Sequence, residues 1–183
     1  MKRTILRSAG LRAVAVLAPL VALGTVAATP ASAARVYAAS NVQLVNWQTG
    51  KCLTIAGGVS TDNNVVAVQY NCDSHPSRRW DIWGYSSGAL KVRNVQTGKC
   101  LTIAGGVSSA NNLNAVQYNC DSDASRLWGL GARAGIYVQF QNVQTGKCLT
   151  IAGGVSTANN LNAVQYNCDS HPSRYWEIRD YNV

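Results

Sequence analysis

The sequence predicts an all-β domain of about twelve short strands, built from three copies of one unit around a shared core. Three observations carry this reading. Cys52, Cys100 and Cys148 recur every 48 residues, and Cys72, Cys120 and Cys168 keep the same spacing. Short apolar runs alternate with polar residues between clusters of Gly, Asn and Asp, and no segment sustains a helical period. The 16 Gly, 8 Tyr and 5 Trp, against one Phe and one Met, suit strands and turns. A unit of this size cannot bury its own apolar face, so three copies must share one core. Closing the sheet also removes the exposed edges that an open twelve-stranded array would carry. With 47% apolar and 13% charged residues the chain can build that core. This composition argues against disorder, a collagen, a coiled coil or a multi-span membrane protein.

Residues 1–33 read as a signal peptide. Lys2, Arg3, Arg7 and Arg12 form a basic leader, and an apolar run follows from Ala13 to Ala28, interrupted by Pro19, Gly24 and Thr25. Ala31-Ser32-Ala33 supplies the small residues a signal peptidase requires, which places cleavage after Ala33. A membrane anchor needs about 20 apolar residues, more than this run offers, so no span is expected once the leader is removed. Four of the 16 Lys and Arg leave with it, and 12 against 8 Asp and Glu makes a net +4 rather than +8. That balance gives little support to a nucleic-acid partner.

After a short segment at 34–41, the repeats are assigned to 42–89, 90–137 and 138–183. Asn94 to Asp121 matches Asn142 to Asp169 at all but one of 28 positions, Ser109 against Thr157. Asn46 to Asp73 departs from the third copy only at Trp47, Asp62, Val65 and Val66. The linking stretches have drifted, so packing or a site holds the 28-residue block. In the first copy Val42 and Leu44 alternate with Gln43 and Val45 as a strand. Gln48 to Lys51 is a turn, Cys52 to Ala56 a second strand, and Gly57-Gly58 with Asp62-Asn63-Asn64 punctuate a longer loop. Val66 to Cys72 is the third strand and Arg79 to Trp83 the fourth. Asn63-Asn64 and their repeats read as turn residues that tolerate left-handed geometry.

Six cysteines allow 15 pairings, and two candidate patterns that treat the copies alike stand out. One joins Cys52–Cys72, Cys100–Cys120 and Cys148–Cys168. The other joins each copy to the next. The first closes three equal loops and is the expected one, each bridge contributing about 3 kcal/mol by constraining the unfolded chain. An oxidising exterior lets them form. No cysteines stand at Cys-x-x-Cys spacing, which argues against zinc, and no cofactor is expected.

Several features together resemble the ricin-B-type (R-type) lectin repeat. They are Asn-Val-Gln-Thr-Gly-Lys-Cys-Leu at 94–101 and 142–149, the paired cysteines, the Val-Gln-Tyr-x-Cys strand, and the Trp eight residues after the second cysteine. The resemblance runs from about Val42 to the end, in triplicate. It implies a β-trefoil, a disulfide within each copy, and up to one shallow sugar pocket per repeat. The family's pocket carries an Asp directly after the Cys-Leu pair; this chain has Thr54, Thr102 and Thr150 there. The family's aromatic wall is kept as Tyr70, Tyr118 and Tyr166. Where the pattern has Asn-Gln before x-Trp, this chain has Ser77-Arg78, Ser125-Arg126 and Ser173-Arg174. Asp73, Asp121 and Asp169 either clasp the Arg five residues on, fixing a loop, or offer a carboxylate to the ligand. Trp80, Trp128 and Trp176 are expected in the core, and Trp47 and Trp83 receive no role.

The expectation is therefore a secreted, multivalent glycan- or polysaccharide-binding protein and not an enzyme. Glycoside hydrolysis usually needs two carboxylates about 5–10 Å apart, and Glu177 is the one Glu. The competing reading is a degenerate trefoil that binds protein, as an inhibitor does, through the drifted loops Trp83–Gly88 and Gly129–Gly135. Intact mass of the exported protein is expected to show Ala34 at the N-terminus and no free thiol; a mass that retains the leader would remove the export assignment.

Overall fold

The computed structural model of the chain describes residues 35–181, so the expected signal peptide and its cleavage lie outside the described residues. The first copy contributes β1 (Arg35–Asn46), β2 (Cys52–Ile55), β3 (Ala67–Tyr70) and β4 (Trp80–Tyr85). The second contributes β5 (Leu90–Asn94), β6 (Cys100–Ile103), β7 (Ala115–Tyr118) and β8 (Trp128–Ala134). The third contributes β9 (Tyr137–Asn142), β10 (Cys148–Ile151), β11 (Ala163–Tyr166) and β12 (Tyr175–Asp180). Antiparallel pairing runs β1–β4–β5–β8–β9–β12 and returns from β12 to β1, which closes a six-stranded barrel. The hairpins β2–β3, β6–β7 and β10–β11 stand off this ring, one per copy. They meet one another through the bridges Val66 to Val116, Asn114 to Val164 and Val68 to Asn162. The architecture is a β-trefoil with pseudo-threefold symmetry.

The core is built in sets of three. Leu53, Leu101 and Leu149 pack with Ile55, Ile103 and Ile151, and with Ala67, Ala115 and Ala163. Trp80, Trp128 and Trp176 are wholly buried, and each indole N–H donates to the carbonyl of Leu53, Leu101 or Leu149 at 3.0 Å. These tryptophans take the core role the pattern predicted, and the hydrogen bond removes the cost of burying the ring nitrogen. All three disulfides lie within copies, as Cys52–Cys72, Cys100–Cys120 and Cys148–Cys168.

Strand limits differ from the sequence reading at several ends. β1 begins at Arg35, ahead of Val42, because residues 35–39 extend the hairpin with β4 across two register shifts. Its polar face is also covered: Gln43 is buried, and its amide donates to the Asp73 carbonyl at 2.9 Å. Each segment before the fourth strand forms a 3-10 turn, at Pro76–Arg78, Ala124–Arg126 and Pro172–Arg174. Three residues are too few to show a period, so the pattern did not announce these turns.

Two cyclic sets of buried amide side chains tie the copies together. Asn94 Nδ2 donates to the Ser77 carbonyl, Asn142 Nδ2 to Ser125 and Asn46 Nδ2 to Ser173, each at 2.8 Å. Gln117 Nε2 donates to the carbonyls of Ser60 and Asp62 at 2.8 and 2.7 Å. Gln165 grips Ser108 and Ala110 in the same way, and Gln69 grips Ser156 and Ala158. In both sets each copy reaches back to the copy before it. These residues are 0% exposed, so their amide N–H groups depend on these partners. Replacing Gln117 by Ala would strand two loop carbonyls and leave a void. A loss of about 2–4 kcal/mol is expected in urea unfolding, and a change below about 0.5 kcal/mol would show that the clamp is dispensable.

Candidate functional site

Three equivalent clefts lie at the outer ends of the hairpins, with volumes of about 390, 400 and 450 Å³. In the first copy the cleft is lined by Thr54, Gly57, Gly58, Tyr70, His75 and Arg78, with Asn160 arriving from the third copy. Tyr70 ends β3 and is half-buried, because the strand turns its last side chain out of the core. Gly58 sits at φ +76°, and a Cβ there would stand 3.2 Å from the Ser77 hydroxyl. Only glycine lets the loop approach the 3-10 turn this closely.

The residues the resemblance marked divide into two groups. Thr54 and Ser77 are buried and engage each other: Thr54 Oγ1 lies 2.9 Å from both the Ser77 carbonyl and Ser77 Oγ. Thr102 with Ser125 and Thr150 with Ser173 repeat the pair. Thr reaches the cleft floor, whereas Ser stands behind it. Both therefore act first on the protein: the Ser carbonyl also receives the Asn amide of the next copy, so this pair joins the cleft to the barrel.

Arg and Tyr make the wall. The guanidinium of Arg78 lies over the Tyr70 ring with Cζ 4.5 Å from its centroid, Arg126 over Tyr118 at 4.4 Å and Arg174 over Tyr166 at 4.5 Å. Each Arg is also ion-paired with the expected Asp, at 3.3 Å for Arg78–Asp73 and 3.2 Å for Arg126–Asp121 and Arg174–Asp169. Asp73 Oδ1 takes the His75 backbone N–H at 2.9 Å as well. The clasp thus forms in all three copies. It holds the guanidinium over the tyrosine, which covers one ring face, and it keeps the Asp at the rim while the Arg lines the cleft.

Among the lining positions that carried no binding role in the sequence reading are His75, Asp123 and His171, which precede each 3-10 turn. His75 Nδ1 accepts the Ser77 backbone N–H at 3.1 Å and lies 2.8 Å from Ser77 Oγ, which itself receives Arg78 Nη1 at 2.8 Å. Nδ1 is therefore the acceptor, and the network assigns the ring proton to Nε2. His171 repeats this arrangement. In the middle copy Asp123 caps the turn instead, with Oδ1 taking the Ser125 N–H at 2.9 Å and pairing with Arg126 at 3.2 Å. Two clefts thus carry an imidazole and one carries a carboxylate. The exchange of His for Asp within otherwise repeated chain was the signal available in the sequence. Ser77 is not poised as a nucleophile, since it is buried and its neighbour Asp73 holds the His75 main chain and not the ring.

Among the described residues no group of three His, Cys, Asp or Glu is placed to hold a metal ion, and no helix is long and apolar enough to cross a membrane. Asp123 is the cleft acid with a displaced titration. Hydrogen bonds from the Ser125 side chain and backbone, and then the Arg126 charge, hold its carboxyl below the ordinary 3.8. Its stabilising contribution is present above the unfolded-state value and is lost as pH falls through the depressed folded-state value. Asp123→Asn keeps a capping oxygen and removes the titration, so its urea midpoint is expected to fall less between pH 5 and about pH 2.5 than that of the parent. Identical acid sensitivity in both proteins would exclude Asp123 as a contributor.

The profile of the ricin-type beta-trefoil lectin domain family matches residues 40–176, well over half of the chain. Among solved structures, a designed threefold-symmetric protein, ThreeFoil, aligns with TM-score 0.72 at 23% identity, over 76% of this chain and 97% of its own. A ricin B-like lectin of Macrolepiota procera, solved in complex with lactose, aligns at 0.64 and 16% identity over 79% of this chain and 98% of its own. An exo-beta-1,3-galactanase from Clostridium thermocellum aligns at 0.72 and 22% identity over 76% of this chain, which spans only 30% of that enzyme. At these identities the structural likenesses show the fold alone. No curated protein sequence is matched by this chain.

Proposed function

The chain belongs to the family of ricin-type beta-trefoil lectin domains, and from that membership we propose that it is a secreted, multivalent carbohydrate-binding protein. The observation that carries the proposal is one cleft built three times from the same Thr, Tyr and Arg. Shallow polar clefts with an aromatic wall suit polyols: hydroxyls meet the guanidinium, and a sugar's C–H face rests on the part of the tyrosine that Arg leaves open. The family's Asp and Asn are replaced here by Thr and Ser, which are engaged with each other. Ligand contacts therefore shift to Arg78, Arg126 and Arg174 and to the residue capping each 3-10 turn. A lactose complex in a lectin of the same fold supports a sugar as the kind of ligand.

Each cleft alone would bind weakly. Three on one rigid body reach avidity gains on the order of 10²–10⁴ on a repetitive glycan. Binding without turnover is the consistent reading, because Glu177 is ion-paired with Arg179 and the acids beside the clefts, Asp73, Asp121, Asp123 and Asp169, are each ion-paired with an Arg. Export through the leader at 1–33 would deliver the protein to an oxidising exterior where its disulfides persist.

A glycan array and pull-down on insoluble polysaccharides test the proposal. Removing one of Tyr70, Tyr118 or Tyr166 to Ala is expected to cost about 0.5–1.5 kcal/mol at that cleft, with a much steeper loss of avidity when all three are removed. Folded parent protein that binds nothing in either assay would overturn it, and a folded triple variant with unchanged binding would remove the tyrosine clefts as its site.

A further inference from the structure

We infer that Asn64, Asn112 and Asn160 are ligand-contacting residues, each serving the cleft of a different copy from its own. Asn64 of the first copy lines the cleft of Tyr118, Asn112 lines that of Tyr166, and Asn160 of the third copy lines that of Tyr70. Every cleft is therefore assembled from two copies. This inference rests on the carbohydrate-binding reading and names a contact that the repeat pattern, read one copy at a time, does not contain.

The backbone fixes each of these residues. All three lie at φ 66°, in the left-handed region, where Asn is tolerated at some cost and glycine is free of it. The Asn64 N–H donates to the Gln117 carbonyl at 2.8 Å, Asn112 to Gln165 at 2.9 Å and Asn160 to Gln69 at 2.9 Å. The same glutamines grip the loop just before each asparagine through their side chains. Gln117 and Tyr118 are consecutive on β7, so the clamp that holds the loop of the first copy also sets Asn64 at a fixed offset from the wall of the second.

Among the described residues these side chains have no partner. Asn in a turn commonly bonds its own main chain, but the carboxamides of Asn64, Asn112 and Asn160 make no hydrogen bond to other described residues, and all three are exposed at the cleft. Asn63, one residue earlier, by contrast accepts from Lys99. A carboxamide offers both donors and an acceptor, the pairing that suits adjacent hydroxyls on a neutral sugar. It stands across the cleft as a complement to an Arg that can only donate.

The test is Asn64→Gly, which keeps the left-handed backbone and removes only the carboxamide. Amide spectra of the parent and the variant are titrated with lactose, xylotetraose and chitotetraose, reading the clefts separately at Gly57–Gly58, Gly105–Gly106 and Gly153–Gly154. The expected result is an unchanged melting temperature and a loss of about three- to tenfold in affinity at Gly105–Gly106, the value of one hydrogen bond, with the other two clefts unaltered. Asn64→Asp, which keeps an acceptor and loses the donors, should fall between. A loss confined to Gly57–Gly58, or no loss at any cleft, overturns the cross-copy assignment while leaving the function intact. Parent protein that shows no response to any of the three sugars, and that binds nothing on a glycan array or on insoluble polysaccharides, overturns the proposed function and this inference together.

Discussion

Buried carboxamides that cross from one copy to the next hold this molecule in its working form. Gln69, Gln117 and Gln165 have no access to water, and each directs its amide at two loop carbonyls of a neighbouring copy. Without these bonds the buried amide N–H groups would be left unpaired, at a cost of about 1–3 kcal/mol for each. Asn46, Asn94 and Asn142 form a second ring in the same sense, ending on the carbonyls of Ser173, Ser77 and Ser125. Because every copy depends on the one before it, no copy has its polar groups satisfied alone. Closure is thus a hydrogen-bonding requirement as well as an apolar one.

The clefts inherit this dependence. The Ser carbonyl that receives the Asn amide also receives the Thr hydroxyl of the cleft floor, and the Ser hydroxyl receives the Arg that lies on the tyrosine. A chain of contacts therefore runs from the barrel wall to the binding wall in each copy. It gives Thr and Ser a structural part in all three repeats. Their bonds are directed inward, and the rest of the cleft lining comes from Arg, Tyr, the capping His or Asp, and the asparagine of another copy.

Departures from threefold symmetry mark where the copies do different work. Trp47 stands where the other copies have Val; its ring stacks on Tyr137 at 4.8 Å and meets Tyr175 edge-on at 5.7 Å. It packs the first copy against the third, at the seam where the two ends of the barrel's chain meet. Lys91 replaces the Gln of the other copies and still reaches the equivalent carbonyl, that of Asp121, so a contact survives an exchange of side chain and charge. Asp123 does the same for the cap of its 3-10 turn while placing a carboxylate in the lining of the middle cleft.

The sequence by itself determined the repeat, the all-β class, the buried tryptophans and the pairing of the cysteines. Each of these follows from spacing along the chain or from apolar pattern, and spacing survives in a linear text. It also supplied the Asp–Arg clasp, because partners five residues apart can be proposed without knowing the fold. Only the tertiary structure decided which side of the cleft Thr54 and Ser77 serve, that Arg covers a face of the tyrosine, and that His75 and its equivalents line the site. Asn64 is the sharpest instance. Its left-handed conformation was legible from its residue type, but its cleft lies in another copy, reached through pairing between hairpins some fifty residues apart in the chain. A contact of that kind is set by barrel closure, and closure leaves no mark on the sequence of any single repeat.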